Sequence, residues 1–190
     1  MNLESLFSQQ KILRERIGYN ESDRFDKLIL ALLVELGECA NEWRGFKFWS
    51  KNQKPKTFEW YGICEKCNGH GVDDENYSCS SCAGTGDGHK NPLLEEYVDG
   101  LHFVLELGLE INVTPVVCDL YLRADDINNQ FIRLYQAITF FKVTRNKSAY
   151  YYLIEFFAGL GEMLGFTWEQ IEQAYYEKNS INHKRQEVGY

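Results

Sequence analysis

The sequence lacks the features of a membrane-bound or exported protein. Its 190 residues contain no apolar run of the length that a bilayer-spanning helix needs, which is about 20 residues. The N-terminus also lacks the basic and then apolar layout of a signal peptide. We therefore expect an intracellular, cytoplasmic protein with no membrane partner.

Positive charge is also scarce in this chain. Lys and Arg number 20 against 28 Asp and Glu, so the formal net charge is −8. Such a charge argues against nucleic acid as a general partner through a basic surface. It still permits an anionic substrate whose phosphates are neutralised locally by metal ions. Hydrophobic residues at 44% and aromatic residues at 15% indicate a globular domain with a real core.

Four of the six cysteines form two CxxC pairs, Cys64 with Cys67 and Cys79 with Cys82. In a chain without an export signal, this spacing favours tetrahedral Zn²⁺ over disulfides. A closed set of four thiolates favours a structural role for zinc over a catalytic or redox role. Each pair continues as CxxCxGxG, which resembles the zinc-knuckle repeats of J-protein chaperones in geometry. We expect an inserted zinc-knuckle module at residues 56–91, too small to fold without its metal.

Two acidic motifs lie on either side of this module. The first, VELGECANE, contains Glu35 and Glu38, followed by Glu42, and the second, EEYVDGLHF, contains Glu96 and Asp99. Helical residues three or four apart share a face, so each motif directs its carboxylates together. Unpaired carboxylates are costly in such an apolar setting, and Mg²⁺, or Mn²⁺ as an alternative, would offset that cost.

Helical periodicity predicts an all-α helical bundle. The predicted helices cover residues 3–17, 23–43, 92–111, 124–144 and 148–164, and a last helix begins at a Thr167–Gln170 capping box. We expect the helices at 124–144 and 148–164 to form the scaffold or a subunit interface. His102 follows Asp99 by three residues, so it either supports the acidic site or is a partly exposed helical histidine.

Two further stretches contain candidate binding residues, and each of these residues also has an interpretation that involves no substrate. Lys47, Phe48 and Trp49 follow the first acidic helix and suit stacking on a base, although aromatic residues there also commonly close a core. Gln10 lies within an apolar helical stripe, either as a functional amide or as a solvated residue at its border.

The last helix has a face of polar and basic residues. Lys178, Asn182 and Arg185 recur at steps of four and three, so they share that face. Two cations and an amide there suit a phosphate clamp. A solvated basic helix end that complements the helix dipole explains the same pattern equally well.

Together these motifs resemble the dimeric, all-α dUTPases, a branch of the all-α nucleoside triphosphate pyrophosphatase superfamily that includes MazG-type enzymes. The matching segments are VELGECANE, FKFWS, EEYVDGLHF and YYEKNSINHKRQEVGY. The C-terminal pattern of Lys178, Asn179, Asn182, Arg185, Gln186, Gly189 and Tyr190 is the part most specific to the dUTPase branch. The resemblance covers most of the chain outside residues 55–91. The small size and the inserted cassette suit a bacterial or phage source, and a phage enzyme would act in the host cytoplasm.

The resemblance implies a homodimeric enzyme that hydrolyses dUTP to dUMP and pyrophosphate. It implies two or more Mg²⁺ ions held by Glu35, Glu38, Glu96 and Asp99, with Glu35 or Glu38 orienting or deprotonating the water. It further implies contacts to the substrate, to phosphates or to uracil and deoxyribose, from Gln10, Lys47, Phe48, Trp49, Lys178, Asn182, Arg185 and Tyr190.

Two alternatives remain open at this level. One is a pyrophosphatase for another nucleotide such as dCTP, because an amide that recognises uracil can flip and accept cytosine instead. The other is a regulatory protein whose zinc module binds a protein or nucleic-acid partner. The four carboxylates favour an enzyme, since a simple binding protein has no need of a costly acidic cluster.

Overall fold

The computed structural model describes residues 3–113 and 120–189 of the chain. Within those ranges it contains six helices and one two-stranded antiparallel sheet. The elements are α1 (Glu4–Ile17), α2 (Arg24–Trp43), β1 (Glu59–Ile63), β2 (Asp87–Lys90), α3 (Pro92–Glu110), α4 (Ile127–Thr144), α5 (Lys147–Met163) and α6 (Trp168–Val188). The all-α prediction is therefore confirmed. In the described ranges, no helix combines the length and the hydropathy needed to cross a membrane.

Local signals in the sequence explain where the helices start. Pro92 occupies the first turn of α3, where its missing N–H costs nothing, and the Asn91 side chain accepts a hydrogen bond from the Leu94 amide at 3.1 Å. The capping box of α6 is present between Thr167 and Gln170, as the sequence predicts. Helix α4 begins three residues later than predicted, because the Ala124 amide donates to the buried Gln130 side chain instead of starting the helix.

The helices enclose one apolar core. Helix α2 packs along α3, α1 and α6 lie against α3, and α4 pairs with α5. Two fully buried tyrosines anchor the centre, since the Tyr97 hydroxyl donates to the Phe157 carbonyl and the Tyr150 hydroxyl donates to the Val104 carbonyl, both at 3.1 Å. Buried aromatic rings thus supply apolar area while their polar ends are satisfied.

The sheet closes the base of the cysteine-rich segment. Strands β1 and β2 pair antiparallel, with Glu59 opposite Lys90. Just before β1, the Lys56 amide donates to the Glu42 carbonyl at 2.8 Å, and the Leu93 amide donates to the Lys56 carbonyl at 3.1 Å. The chain therefore leaves the end of α2 and returns to the start of α3 at nearly the same place.

The Asn91 cap gives a test of how α3 is positioned. We expect Asn91→Ala to lower the free energy of unfolding by about 1 kcal/mol, because the Leu94 amide loses its acceptor. Urea denaturation followed by circular dichroism measures this loss. Asn91→Asp keeps an acceptor at the same position and is the matched control. Equal stability of the alanine variant and the wild type would contradict the role of this cap.

Candidate active site

Three carboxylates from two helices meet at the packed face between α2 and α3. Ligand oxygens of Glu35 and Glu38 on α2 and Glu96 on α3 all lie within 4.8 Å of one another. The i, i+3 spacing on α2 places the first two on one face, and α3 supplies the third. Glu42, one turn further along α2, is not in this group. These three residues form what we call the acidic cluster, an oxygen-only donor set of the kind that Mg²⁺ prefers.

The electrostatics of the acidic cluster fit a cation site. Burial raises the pKa of Glu35 to about 7, and repulsion from Asp99 and Glu38 adds to this effect. Burial also raises the pKa of Glu96 to about 7, with repulsion from Asp99, Glu38 and Glu35. Ionising these side chains together is therefore costly, and a bound divalent cation would offset the cost.

Asp99, the fourth predicted carboxylate, contacts a predicted phosphate ligand. Its Oδ2 accepts a hydrogen bond from the Lys178 Nζ at 2.6 Å, and the same Nζ lies 3.2 Å from the Glu95 carboxylate. Burial raises the pKa of Asp99, although Lys178 acts in the opposite direction. The structure therefore brings the second acidic motif and the polar face of α6 into direct contact.

A cavity of about 420 Å³ is lined in part by α2 and α3, the helices that carry the acidic cluster, although none of the three cluster residues is in its wall. On α2, the lining residues Arg24, Leu28 and Ala31 precede Glu35 at helical spacing on one face. Helices α1, α3 and α6 supply most of the rest of the wall, together with Lys27 of α2 and with Tyr19 between α1 and α2. The cavity contains three of the predicted substrate ligands, namely Gln10, Asn182 and Arg185.

A buried polar network forms one wall of this cavity. Gln10 is 5% exposed, its Nε2 donates to Glu106 Oε2 at 3.0 Å, and its Oε1 lies 2.9 Å from His102 Nδ1. Arg24 in turn hydrogen-bonds Glu106. Gln10 is thus a buried, paired residue and not a solvated one, and His102 is buried instead of partly exposed.

Sequence reasoning missed both Arg24 and Glu106. Glu106 lies in the apolar stretch FVLELGLE, where a single carboxylate on a buried helix signals a partner elsewhere in the chain. Arg24 is that partner, but it lies 82 residues away, so spacing alone does not reveal the pair.

Other predicted substrate ligands lie outside the cavity wall. Phe48 and Trp49 are 84% and 65% exposed, and their rings pack against each other with centroids 5.0 Å apart. Lys47 Nζ donates to the Asn41 carbonyl at 3.1 Å. Tyr190 lies outside the described residues.

The four cysteines of the CxxC pairs form a second group of possible metal ligands, which we call the cysteine cluster. Its ligand atoms are sulfurs, whereas those of the acidic cluster are oxygens. The sulfurs lie within 4.8 Å of one another, with Cys64–Cys79 at 4.0 Å and Cys67–Cys82 at 3.7 Å. Tetrahedral zinc with Zn–S bonds of about 2.3 Å requires sulfurs about 3.8 Å apart. The cysteine cluster therefore fits a structural zinc site.

The two halves of this cluster repeat the same backbone geometry. The Gly71 amide donates to the Cys67 sulfur at 3.2 Å, and the Gly86 amide donates to the Cys82 sulfur at 3.3 Å. Gly71 and Gly86 have φ of 75° and 78°, and a Cβ on either would lie within 2.5 Å of a backbone oxygen of the other half. The CxxCxGxG pattern thus needs glycine both for positive φ and for close approach.

A comparison with protein families finds a match over most of the chain. A family model described as dUTPase matches residues 2–60 and 84–190. The unmatched stretch, 61–83, contains all four cysteines of the cysteine cluster. No curated protein and no solved structure shows a significant match.

The cysteine cluster predicts one zinc ion per chain in the purified protein. We expect Cys82→Ser to lose most of this zinc and to lower the melting temperature, because three thiolates hold the ion less well and the module has no core. Inductively coupled plasma mass spectrometry measures the metal content. Cys39→Ser, which changes a buried cysteine outside the cluster, is the control and should retain the zinc. Full zinc content in Cys82→Ser would refute the assignment.

Proposed function

The chain belongs to the dUTPase family, and on that premise we propose that it hydrolyses dUTP to dUMP and pyrophosphate with Mg²⁺ bound at the acidic cluster. The observation that carries the proposal is that the acidic cluster and the cavity lie on the same two helices, α2 and α3, since the lining residue Ala31 is one turn from Glu35. Helix α6 lines the cavity with Asn182 and contacts Asp99, beside the cluster, through Lys178.

The spacing along these helices suits a nucleoside triphosphate. From Glu35 back to Leu28 is seven residues, as is the step from Asp99 to Glu106, and each corresponds to about 10 Å of helix. A base in the cavity would therefore place its phosphates beside the acidic cluster. The cavity wall is largely apolar with a few polar groups, which is typical of small-molecule sites.

Different residues of the chain would bind the metal ions, orient the water and contact the phosphates. Glu35, Glu38, Glu96 and Asp99 would hold two or more Mg²⁺ ions, which supply an activated water and neutralise charge on the phosphates. Glu35 or Glu38 would orient the water and accept its proton. Lys178, paired with Asp99 and Glu95 in this structure, would donate to a phosphate oxygen beside them. Arg185 and Tyr190 would complete the phosphate contacts.

The cysteine-rich segment is proposed as an inserted zinc module at residues 56–91. Two observations support this: the family match is interrupted at residues 61–83, and β1 and β2 bring the ends of the segment together. An insertion whose ends meet leaves the packing of α2 on α3 undisturbed. Its role would be structural, since four thiolates leave no open coordination position.

A homodimer is the proposed assembly. Helix α4 exposes Ile132, Phe140 and Val143, which are 54%, 55% and 83% exposed. Their steps of eight and three place them on one face of the helix. An apolar stripe of this kind is typical of a subunit interface.

We expect pyrophosphate release in the presence of Mg²⁺ to be fastest with dUTP among dUTP, dTTP, dCTP, dATP, dGTP and UTP. Glu38→Gln should lower kcat by at least about 100-fold, because a ligand of the acidic cluster is lost while the base cavity is intact. Glu15→Gln, an exposed carboxylate on α1, is the matched control and should behave as the wild type.

Each other outcome of this assay has a distinct meaning. Preference for dCTP or a purine nucleotide would keep the metal assignment and reject the uracil cavity. No turnover of any nucleotide would reject the enzyme and favour a binding role for the zinc module. Unchanged activity of Glu38→Gln would reject the acidic cluster as the catalytic metal site.

The proposed interface has its own test. Phe140→Asp should convert a dimer into a monomer, because a charge buried in an apolar interface is costly. Light scattering coupled to size exclusion gives the mass of each variant. Lys142→Asp, an equally drastic change on the same helix but at a position off the apolar stripe, is the control. A monomeric wild type would refute the proposal.

A further inference from the structure

Lys178 on α6 holds one of the four carboxylates that are proposed to bind Mg²⁺. Its Nζ donates to Asp99 Oδ2 at 2.6 Å, and the two side chains are only 12% and 18% exposed. Asp99 is the proposed ligand that lies outside the acidic cluster. The ammonium group of Lys178 therefore already acts as the cationic partner of a carboxylate that a metal ion would also need.

Asp99 can reach the acidic cluster without a movement of its helix. It follows Glu96 by three residues on α3, so the two side chains share a face. Burial raises the pKa values of Glu35 and Glu96 to about 7, and repulsion from Asp99 adds to both effects, so the three carboxylates lie near one another. A turn of the Asp99 side chain away from Lys178 would therefore bring a fourth carboxylate to the cluster.

Glu95 gives Lys178 a second partner. Its Oε1 lies 3.2 Å from Lys178 Nζ, and its Oε2 lies 3.2 Å from Lys90 Nζ. Glu95 is next to Glu96 in the chain but is not in the acidic cluster, since successive helical residues point about 100° apart. It lies one turn before Asp99, so both of these carboxylates reach Lys178. An ammonium group with so little exposure is costly to leave unpaired, and Glu95 would retain it when Asp99 turns away.

We propose that Asp99 exchanges Lys178 for a divalent cation, and that Glu95 is the positioning residue that keeps Lys178 in the site during the exchange. Lys178 then opposes cation binding as long as no nucleotide is present. Phosphate oxygens of a bound nucleotide would give Lys178 other anionic acceptors and so release Asp99. This last step rests on the proposed function, whereas the exchange itself needs only a cation site at the acidic cluster.

Cation binding without nucleotide tests the exchange. We expect Lys178→Met to bind Mn²⁺ roughly tenfold more tightly than the wild type, because the competing ammonium group is gone while most of the apolar stem is kept. Calorimetric titration of the full chain measures both affinities. Unchanged or weaker Mn²⁺ binding by folded Lys178→Met would overturn the proposal.

Two controls separate exchange at Asp99 from the general effect of removing a positive charge. Lys90→Met removes an ammonium group that pairs with Glu95 and Glu59 instead of Asp99, so Mn²⁺ affinity should change by less than about twofold. In an Asp99→Asn background, Lys178→Met should also change it by less than about twofold, because the contested carboxylate is gone. Tightening in either control equal to that of Lys178→Met alone would overturn the proposal.

The role of Glu95 can be followed at the Lys178 ammonium group itself. Spectra of ¹⁵N-labelled lysine side chains detect ammonium groups that are held by ion pairs, and Lys178→Arg assigns the signal. In the wild type, we expect this signal to shift as Mg²⁺ binds and to stay sharp, because Glu95 retains the group. In Glu95→Gln, saturating Mg²⁺ should broaden it beyond detection, since a neutral amide holds an ammonium group less firmly.

Glu177→Gln is the matched control for Glu95→Gln. Glu177 is an exposed carboxylate next to Lys178 in the chain, and it accepts a hydrogen bond from Gln173 instead. This variant should give the wild-type response. A wild-type Lys178 signal that does not respond to Mg²⁺, or a sharp signal in Mg²⁺-saturated Glu95→Gln, would overturn the proposal.

These measurements separate the proposal from the proposed function. If the wild type binds Mn²⁺ but hydrolyses no nucleotide, the proposed function fails, and Mn²⁺ affinity and the Lys178 signal still decide the exchange. If Lys178→Met does not fold, the response of the wild-type signal to Mg²⁺ decides alone. If neither the wild type nor folded Lys178→Met binds Mn²⁺, the metal site and the exchange are both refuted.

Discussion

Repulsion among closely spaced carboxylates is the constraint on which the site depends. Glu35, Glu38 and Glu96 come together because α2 and α3 pack along each other, and the same packing partly buries Glu35 and Glu96 while Glu38 is exposed. The fold therefore maintains an energetically unfavourable arrangement, which costs stability unless a cation binds. Stabilisation comes from the surrounding apolar contacts, including the fully buried Leu32 and Leu36 on α2.

The carboxylates at the two ends of the site have different charge partners. At the cavity end, Glu106 is paired with Arg24 and Arg14, so its charge is compensated within the chain. At the other end, Lys178 pairs with Asp99 and Glu95 but not with the acidic cluster. A carboxylate paired with arginines needs no external cation, whereas carboxylates without such partners suit one. The acidic residues of α3 therefore differ in their electrostatic surroundings.

The sequence was sufficient to predict the structural features that depend on residues close together in the chain. Helical periodicity, the capping box at Thr167 and the CxxC spacing predicted the helices and the cysteine cluster, because each involves residues close in the chain. The network around Gln10 could not be predicted in this way, since its partners His102 and Glu106 are more than 90 residues distant. The predicted ligands Phe48 and Trp49 follow the right helix, but the turn after α2 directs them to solvent.

The cysteine-rich segment at residues 56–91 is connected to the helices of the site in two ways. Lys90 of β2 lies 3.2 Å from Glu95, which in turn lies 3.2 Å from Lys178, so a chain of ion pairs leads from the segment to Asp99. Lys90 is 44% exposed and Glu95 is 34% exposed, and such pairs contribute little free energy because water screens them. The backbone bonds of Lys56 to α2 and α3 are a firmer connection, since they fix where the segment leaves and returns. These bonds join the segment to the end of α2 and to the start of α3, the helix that carries Glu96 and Asp99.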